Sequence, residues 1–170
     1  MYRFSSGFAY FITKVVTRYA GLFERDLAAY GFTVPMYRVV AGLWEKGDQQ
    51  LGELSAMTSI ELSTLSRLIG AMKRNGLVSR VRVESDERSI ALNLTAKSRA
   101  LAPKLMAIAA RYENFAVQVL GEEEMAKVRR NLTKIYQNLE QLERPAGSAA
   151  SPPRGRAPRT PKPHRPARSA

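Results

Sequence analysis

Residues 51–94, LGELSAMTSIELSTLSRLIGAMKRNGLVSRVRVESDERSIALNL, change hydrophobic period part-way, and that change decides the fold. Leu62, Leu65, Leu68, Ile69 and Met72 recur at spacings of three and four, the stripe of a helix that must bury one side. At about 100° per residue, Ser63, Arg67, Gly70 and Arg74 fall on the opposite ridge, with Thr64 beside them near the N-terminal end. Asn75-Gly76 then supplies a left-handed stop. Before this helix, Leu51, Leu54 and Met57 mark a shorter one, and only residues 59–61 connect the two, which is helix-turn-helix spacing. After it, residues 78–83 and 89–94 are β-prone, the second run alternating through Ile90, Leu92 and Leu94. They predict a hairpin whose tip, residues 84–88, is polar and charged.

Helix, turn, helix and hairpin in this order describe a winged helix, and the polar ridge suits a DNA major groove. Short hydroxyl side chains allow close approach to base edges, Gly70 removes bulk in mid-face, and Arg67 can fork onto guanine or phosphate oxygens. The candidate DNA contacts are Ser63, Thr64, Ser66, Arg67, Lys73 and Arg74 on the helix, with Arg80, Arg82, Asp86 and Arg88 on the hairpin.

Three stretches together resemble the MarR family of bacterial transcription regulators: LGELSAMTSIELSTLSRLIGAMKRNGLVSR, the Asp86-Glu87-Arg88-Ser89 of the hairpin, and the Leu92-Asn93-Leu94-Thr95 that leads into the next helix. The likeness covers residues 4–142. It implies a mainly α fold with a small β-hairpin wing, a winged helix-turn-helix domain between N- and C-terminal dimerisation helices. It further implies a homodimer that reads an inverted repeat in double-stranded DNA, most often as a repressor. For the wing it implies that Arg88 enters the minor groove with Asp86 orienting it; the alternative is that the pair only staples the hairpin. The family's small anionic effectors bind between the dimerisation helices and the winged part, which makes Arg18, Tyr19, Arg38 and Tyr112 candidates for an effector site. An aromatic cleft with one or two arginines suits an aromatic carboxylate or an acyl thioester.

Outward from this centre, residues 4–30 read as one long helix with a broad apolar face from Phe4 to Phe23, ended by Gly31. Such a face fits either an ordinary core helix or one that also packs against a partner subunit. Thr33 is a predicted N-cap, and Val39, Val40, Leu43 and Trp44 are the predicted buried side of the next helix. Thr95 caps a helix predicted to about Leu120 that must accommodate Pro103, and Gly121 breaks it. Glu122, Glu123 and Glu124 favour the start of a last helix, in which Met125, Val128, Leu132, Ile135, Leu139 and Leu142 keep an unbroken a/d spacing. About three heptads do not hold an isolated helix, so this seam predicts a second copy of the chain.

Residues 1–144 are therefore expected to form the winged-helix domain with its dimerisation helices, the DNA-reading part spanning about 33–95. Residues 145–170 carry seven prolines, six cations and no acid, the composition of a disordered basic tail. Pro152-Pro153-Arg154-Gly155-Arg156-Ala157-Pro158 is similar to the Arg-Gly-Arg-Pro core of minor-groove hooks, but Ala157 interrupts it, so the tail is expected to attract DNA without reading sequence. The formal charge of +12 is thus shared: the tail holds +6, and the rest, with 21 cations against all 15 acids, holds the other +6.

Absent residues narrow the chemistry. With no cysteine there are no disulfides, thiolate metal sites or thiol-based peroxide sensors. The one histidine, His164, lies in the tail, and neither a nucleophile and base pair nor a phosphate loop occurs. No enzyme, metal or cofactor is expected. No apolar run approaches the length of a membrane span and the N-terminus lacks a secretory pattern, so a cytoplasmic setting without a membrane partner is expected. The competing function is a constitutive architectural DNA-binding protein whose tail supplies most of the affinity and which has no effector.

Overall fold

The computed structural model describes residues 3–83 and 86–143, and the side chains of these except at 82, 83, 86–89 and 143. Among the described residues, six α-helices and one antiparallel hairpin follow in order: α1 (Phe8–Ala28), α2 (Val34–Lys46), α3 (Leu51–Thr58), α4 (Leu62–Arg74), β1 (Val78–Val83), β2 (Asp86–Leu94), α5 (Ala96–Val117) and α6 (Glu122–Glu143). The chain divides after Leu120 into two compact units. The predicted tail, residues 145–170, lies outside the described residues.

The predicted first helix is shorter than its periodicity suggested. Phe4–Ser6 form a 3-10 turn, and Gly7 is extended, so α1 starts at Phe8. Its apolar face also splits in two. Phe23 and Leu27 enter the core, whereas Phe8, Phe11, Ile12 and Val15 are exposed. In α2 the Thr33 hydroxyl accepts from the Met36 amide at 3.4 Å, with Pro35 in the first turn, as the sequence predicts. Val39, Val40 and Leu43 are buried, but Trp44, predicted to join them, is exposed because it lies just off the inward stripe.

Those inward residues meet Leu54 of α3, Leu65, Ile69 and Met72 of α4, Val78, Leu92 and Leu94 of the hairpin, and Ala102 and Leu105 of α5 in one core. At roughly 25 cal/mol per Å² of apolar surface removed from water, this burial is the main force that holds the helix-turn-helix against α5. The α3–α4 turn passes through Ser59 at φ 53. At the far end of α4, Gly76 sits at φ 67, and Leu77 N–H donates to Met72 O at 2.9 Å while Gly76 N–H donates to Lys73 O at 3.0 Å. This is the Schellman closure that a glycine permits without a Cβ clash.

The hairpin pairs Val78 with Leu94 through Arg82 with Ile90, and then shifts register so that Val83 faces Asp86. Strand β2 therefore begins three residues earlier than its alternation indicated, with the irregularity at Arg82 and Val83. Ile90 is exposed rather than inward-facing, whereas Ala91 and Leu92 are both buried. Gln49 adds a third, one-residue strand: it exchanges both backbone hydrogen bonds with Leu92, at 2.8 and 3.2 Å, while its side-chain amide donates to Gly42 O at 2.8 Å. One residue thus ties α2, the start of α3 and the wing together.

Thr95 caps α5 by accepting from Ser98 N–H at 3.3 Å, and the buried Ser98 hydroxyl donates to Leu77 O at 2.6 Å. Pro103 lies inside α5 and carries no N–H, so the helical hydrogen bond to Arg99 O is missing. In the second unit, Gly121 N–H donates to Glu124 Oε2 at 3.0 Å at the start of α6. Along α6, Met125 and Ile135 are half-buried, and Val128, Leu132, Leu139 and Leu142 are exposed.

Candidate nucleic-acid interface

Helix α4 is anchored by its inner side, which fixes what its outer side presents. Leu65 and Met72 are fully buried and Ile69 nearly so. Ser63, Thr64, Ser66, Arg67, Lys73 and Arg74 are all exposed. The predicted ridge therefore exists, with two changes at its N-terminal end. Leu62, predicted to be buried, is 50% exposed, because as the first residue of the helix it precedes the turn at which the stripe enters the core.

The second change is Glu61, which the sequence reading treated only as part of the connecting turn. Its carboxylate is the N-cap of α4, accepting from the Ser63 amide at 2.9 Å and the Thr64 amide at 3.0 Å, and from the Ser63 hydroxyl as well. These donors, the Ser63 hydroxyl foremost, hold the Glu61 carboxyl at about 2, well below the usual carboxylate range. The Ser63 hydroxyl donates its hydrogen bond to Glu61, which leaves its lone pairs to accept from a base. The signal was available: a carboxylate directly ahead of the first turn, followed by Ser-Thr, is a cap pattern. Arg67 leans towards Thr64, whose hydroxyl accepts from Nη2 at 3.5 Å, leaving most of the guanidinium fork free. A Cβ built on Gly70 would meet only Arg74 Nη1, at 3.8 Å. Nothing within the chain demands glycine there.

The wing lies against this helix. Arg80 and Ser66 share a shallow pocket of about 180 Å³ with Leu51, Ile69, Ile90 and Leu92, so helix and hairpin contribute to one surface. The backbone places Arg82 on β1 and Asp86 and Arg88 on β2, but their side chains lie outside the described residues.

The four effector candidates do not share one site. Arg18, Tyr19 and Tyr112 line a groove of about 500 Å³ between α1 and α5, together with Lys14, Val15, Leu22, Phe115 and Ala116. Arg38 lines a separate cleft between α2 and α3, with Tyr37, Glu45 and Met57. The reason is helical phase: Tyr37 points from α2 into the aromatic cluster, 4.8 Å from Phe23, and its neighbour Arg38 turns to the other side. Tyr19 and Tyr112 meet edge-to-face at 6.2 Å in the wall of the groove, each backed by the buried Phe23 at 5.7 and 5.6 Å. The Tyr112 hydroxyl is within reach of Leu22 O at 3.0 Å and Asp26 Oδ2 at 3.2 Å, and Asp26 also pairs with Arg111. Burial, followed by the charge of Glu113, raises the Tyr19 and Tyr37 hydroxyls above their ordinary value, so both stay neutral. The groove is an apolar, ring-lined slot with Lys14 and Arg18 at its wall, a shape for a flat anion. Lys14 and Phe115 were not anticipated; their spacing from Arg18 and Tyr112 on the same helix faces was the available signal.

Among the described residues, no group of three or more His, Asp or Glu could hold a metal ion, and no helix is long and apolar enough to cross a membrane.

The transcriptional regulator SarA/Rot family matches residues 21–105, half of the chain. The HTH-type transcriptional repressor IacR of Pseudomonas putida is 26% identical over 133 residues, covering 78% of this chain and 80% of the relative. Among solved structures, the MarR family transcriptional regulator SPO1453 from Silicibacter pomeroyi superposes with a TM-score of 0.69 at 27% identity, covering 82% of this chain and 99% of that one. Bordetella bronchiseptica BpsR, whose DNA binding is regulated by 6-hydroxynicotinic acid, superposes with a TM-score of 0.71 at 20% identity, covering 80% of this chain and 97% of that one.

Proposed function

Because this chain belongs to the SarA/Rot family of transcriptional regulators and to the MarR type of winged-helix DNA-binding proteins, we propose that it is a homodimeric repressor that reads an inverted-repeat operator and lets go when a small anion binds. The observation that carries the reading is the outer face of α4, six exposed hydroxyl or cationic side chains on a helix whose other side is locked into the core. In this arrangement Arg67 and the hydroxyls address base edges, while Lys73, Arg74, Arg80 and Arg82 address phosphates. Arg88 enters the minor groove with Asp86 orienting it. The exposed apolar residues of α1 and of α6 support self-association, each on its own helix.

The α1–α5 groove is the effector site, with Arg18 and Lys14 taking a carboxylate and Tyr19 and Tyr112 the ring. The regulation of BpsR by 6-hydroxynicotinic acid, an aromatic carboxylate, supports this class of ligand. Two recognition helices must sit about one duplex turn apart, roughly 34 Å, to enter successive major grooves. A ligand that binds the wrongly spaced state more tightly by about 1.4 kcal/mol shifts occupancy tenfold.

Binding-site selection from random duplexes tests the first half. Arg67→Ala should cost roughly 1–3 kcal/mol on the selected duplex and much less on random DNA. Failure to select any sequence, with equal loss on both DNAs, would favour an architectural protein. For the second half, a panel of aromatic carboxylates is scored for release of the duplex by wild type, Arg18→Ala and Arg38→Ala. Release should weaken in the Arg18 variant only; equal release by both variants would place the effector elsewhere.

A further inference from the structure

Among the described residues of α4, Leu62 is the one large apolar side chain that is exposed, at 50%, and it stands beside side chains suited to base edges. Glu61 precedes it and Ser63 follows it, and Ser66 lies one turn further along the same side. Neither the core nor the helix requires leucine there. The core begins one turn later, at Leu65, and the first position of a helix gains more from proline or a short polar residue than from leucine. An isolated exposed leucine carries no meaning in general. At this place it does, because helix-turn-helix proteins insert the N-terminal residues of the second helix deepest among the bases.

The one apolar group that projects from a base edge into the major groove is the 5-methyl group of thymine, where cytosine carries only a hydrogen. An apolar side chain carried into that groove therefore has one complementary partner. We propose that Leu62 is a specificity-determining residue that packs on a thymine 5-methyl group.

The assignment rests on α4 being the DNA-reading helix, and the experiment separates the two. Full-length wild type first selects a preferred duplex from a random pool. Each thymine of that duplex is then replaced singly by deoxyuridine, which removes only the methyl group, and affinity is measured for wild type and Leu62→Ala. One thymine per recognition helix should show a loss of about three- to fivefold in wild type, the value of one buried methyl, and none in Leu62→Ala. The melting temperature of the variant should match wild type, since the side chain lies outside the core. Methyl losses of equal size in both proteins, or no methyl-sensitive thymine at all, overturn the assignment while leaving sequence reading intact. A chain that selects no sequence overturns both. Leu62→Ser serves as a second variant: it should lose methyl discrimination in the same way, and full retention would count against packing as the cause.

Discussion

Single residues at the N-terminal end of α4 carry opposite duties. Glu61 stabilises the helix through its ionised form, since its folded value of about 2 lies below the ordinary 4.5. Its contribution is therefore complete above the ordinary value and is lost as pH falls from there towards about 2. Glu61→Gln should melt at lower temperature than wild type near neutral pH, and the two curves should converge in acid; a constant gap across that window would show that ionisation plays no part. Gly70 makes the converse trade. Glycine within a helix costs about 0.5–1 kcal/mol relative to alanine, and the chain has room for a Cβ at this position. Gly70→Ala should raise the melting temperature while weakening binding to the selected duplex; improved stability with unchanged affinity would remove the case for close approach of DNA at mid-face. The inward residues of α4 were legible because Leu65, Ile69 and Met72 repeat with the helical period. Leu62 and Trp44 were not, because a helical wheel assigns direction but ignores where along its length a helix meets its neighbours.

Helices and strands show the same mixture. The caps at Thr33 and Thr95 and the stop at Gly76 could be read from residue type, since each acts through bonds to backbone within a few positions. The break at Gly7 and the register shift at Val83 could not, since they depend on how neighbouring segments are held. The family resemblance, and not periodicity, suggested Arg18, Tyr19 and Tyr112 on two helices far apart in the chain, yet added Arg38, whose phase on α2 only the packing of Tyr37 against Phe23 reveals. For α6, an isolated helix of this length is marginal in water, so its exposed seam makes a definite prediction. Leu132→Glu should shift sedimentation from dimer to monomer or cost folded helix by circular dichroism, whereas Thr133→Glu, off the seam, should do neither. A wild-type chain that sediments as a monomer at micromolar concentration would refute the seam as an interface.

At the scale of the whole molecule, charge governs how binding responds to salt. The winged part and the residues beyond 144 each carry +6, and the proposed groove-reading face lies in the former. Each phosphate neutralised steepens the dependence of log K on log salt by about 0.9. Removing residues 145–170 should therefore flatten that slope, by at most about five for six cations, and weaken selected and random duplexes alike. Sequence preference that vanished with the tail would reassign the reading role to it.

The Gln49 tie gives the reading unit a property in time as well as in space. Because Leu92 N–H donates to Gln49 O at 2.8 Å while the Gln49 side chain donates to Gly42 O in the C-terminal half of α2, peeling the wing away also loosens α2 and the entry to α3. Amide hydrogens at Leu92 and Gln49 should thus exchange with solvent deuterium together with those of the α2 and α4 core, as one cooperative opening and not as a frayed hairpin. Gln49→Ala would uncouple the clocks: the wing amides would then exchange early while the helices kept their protection.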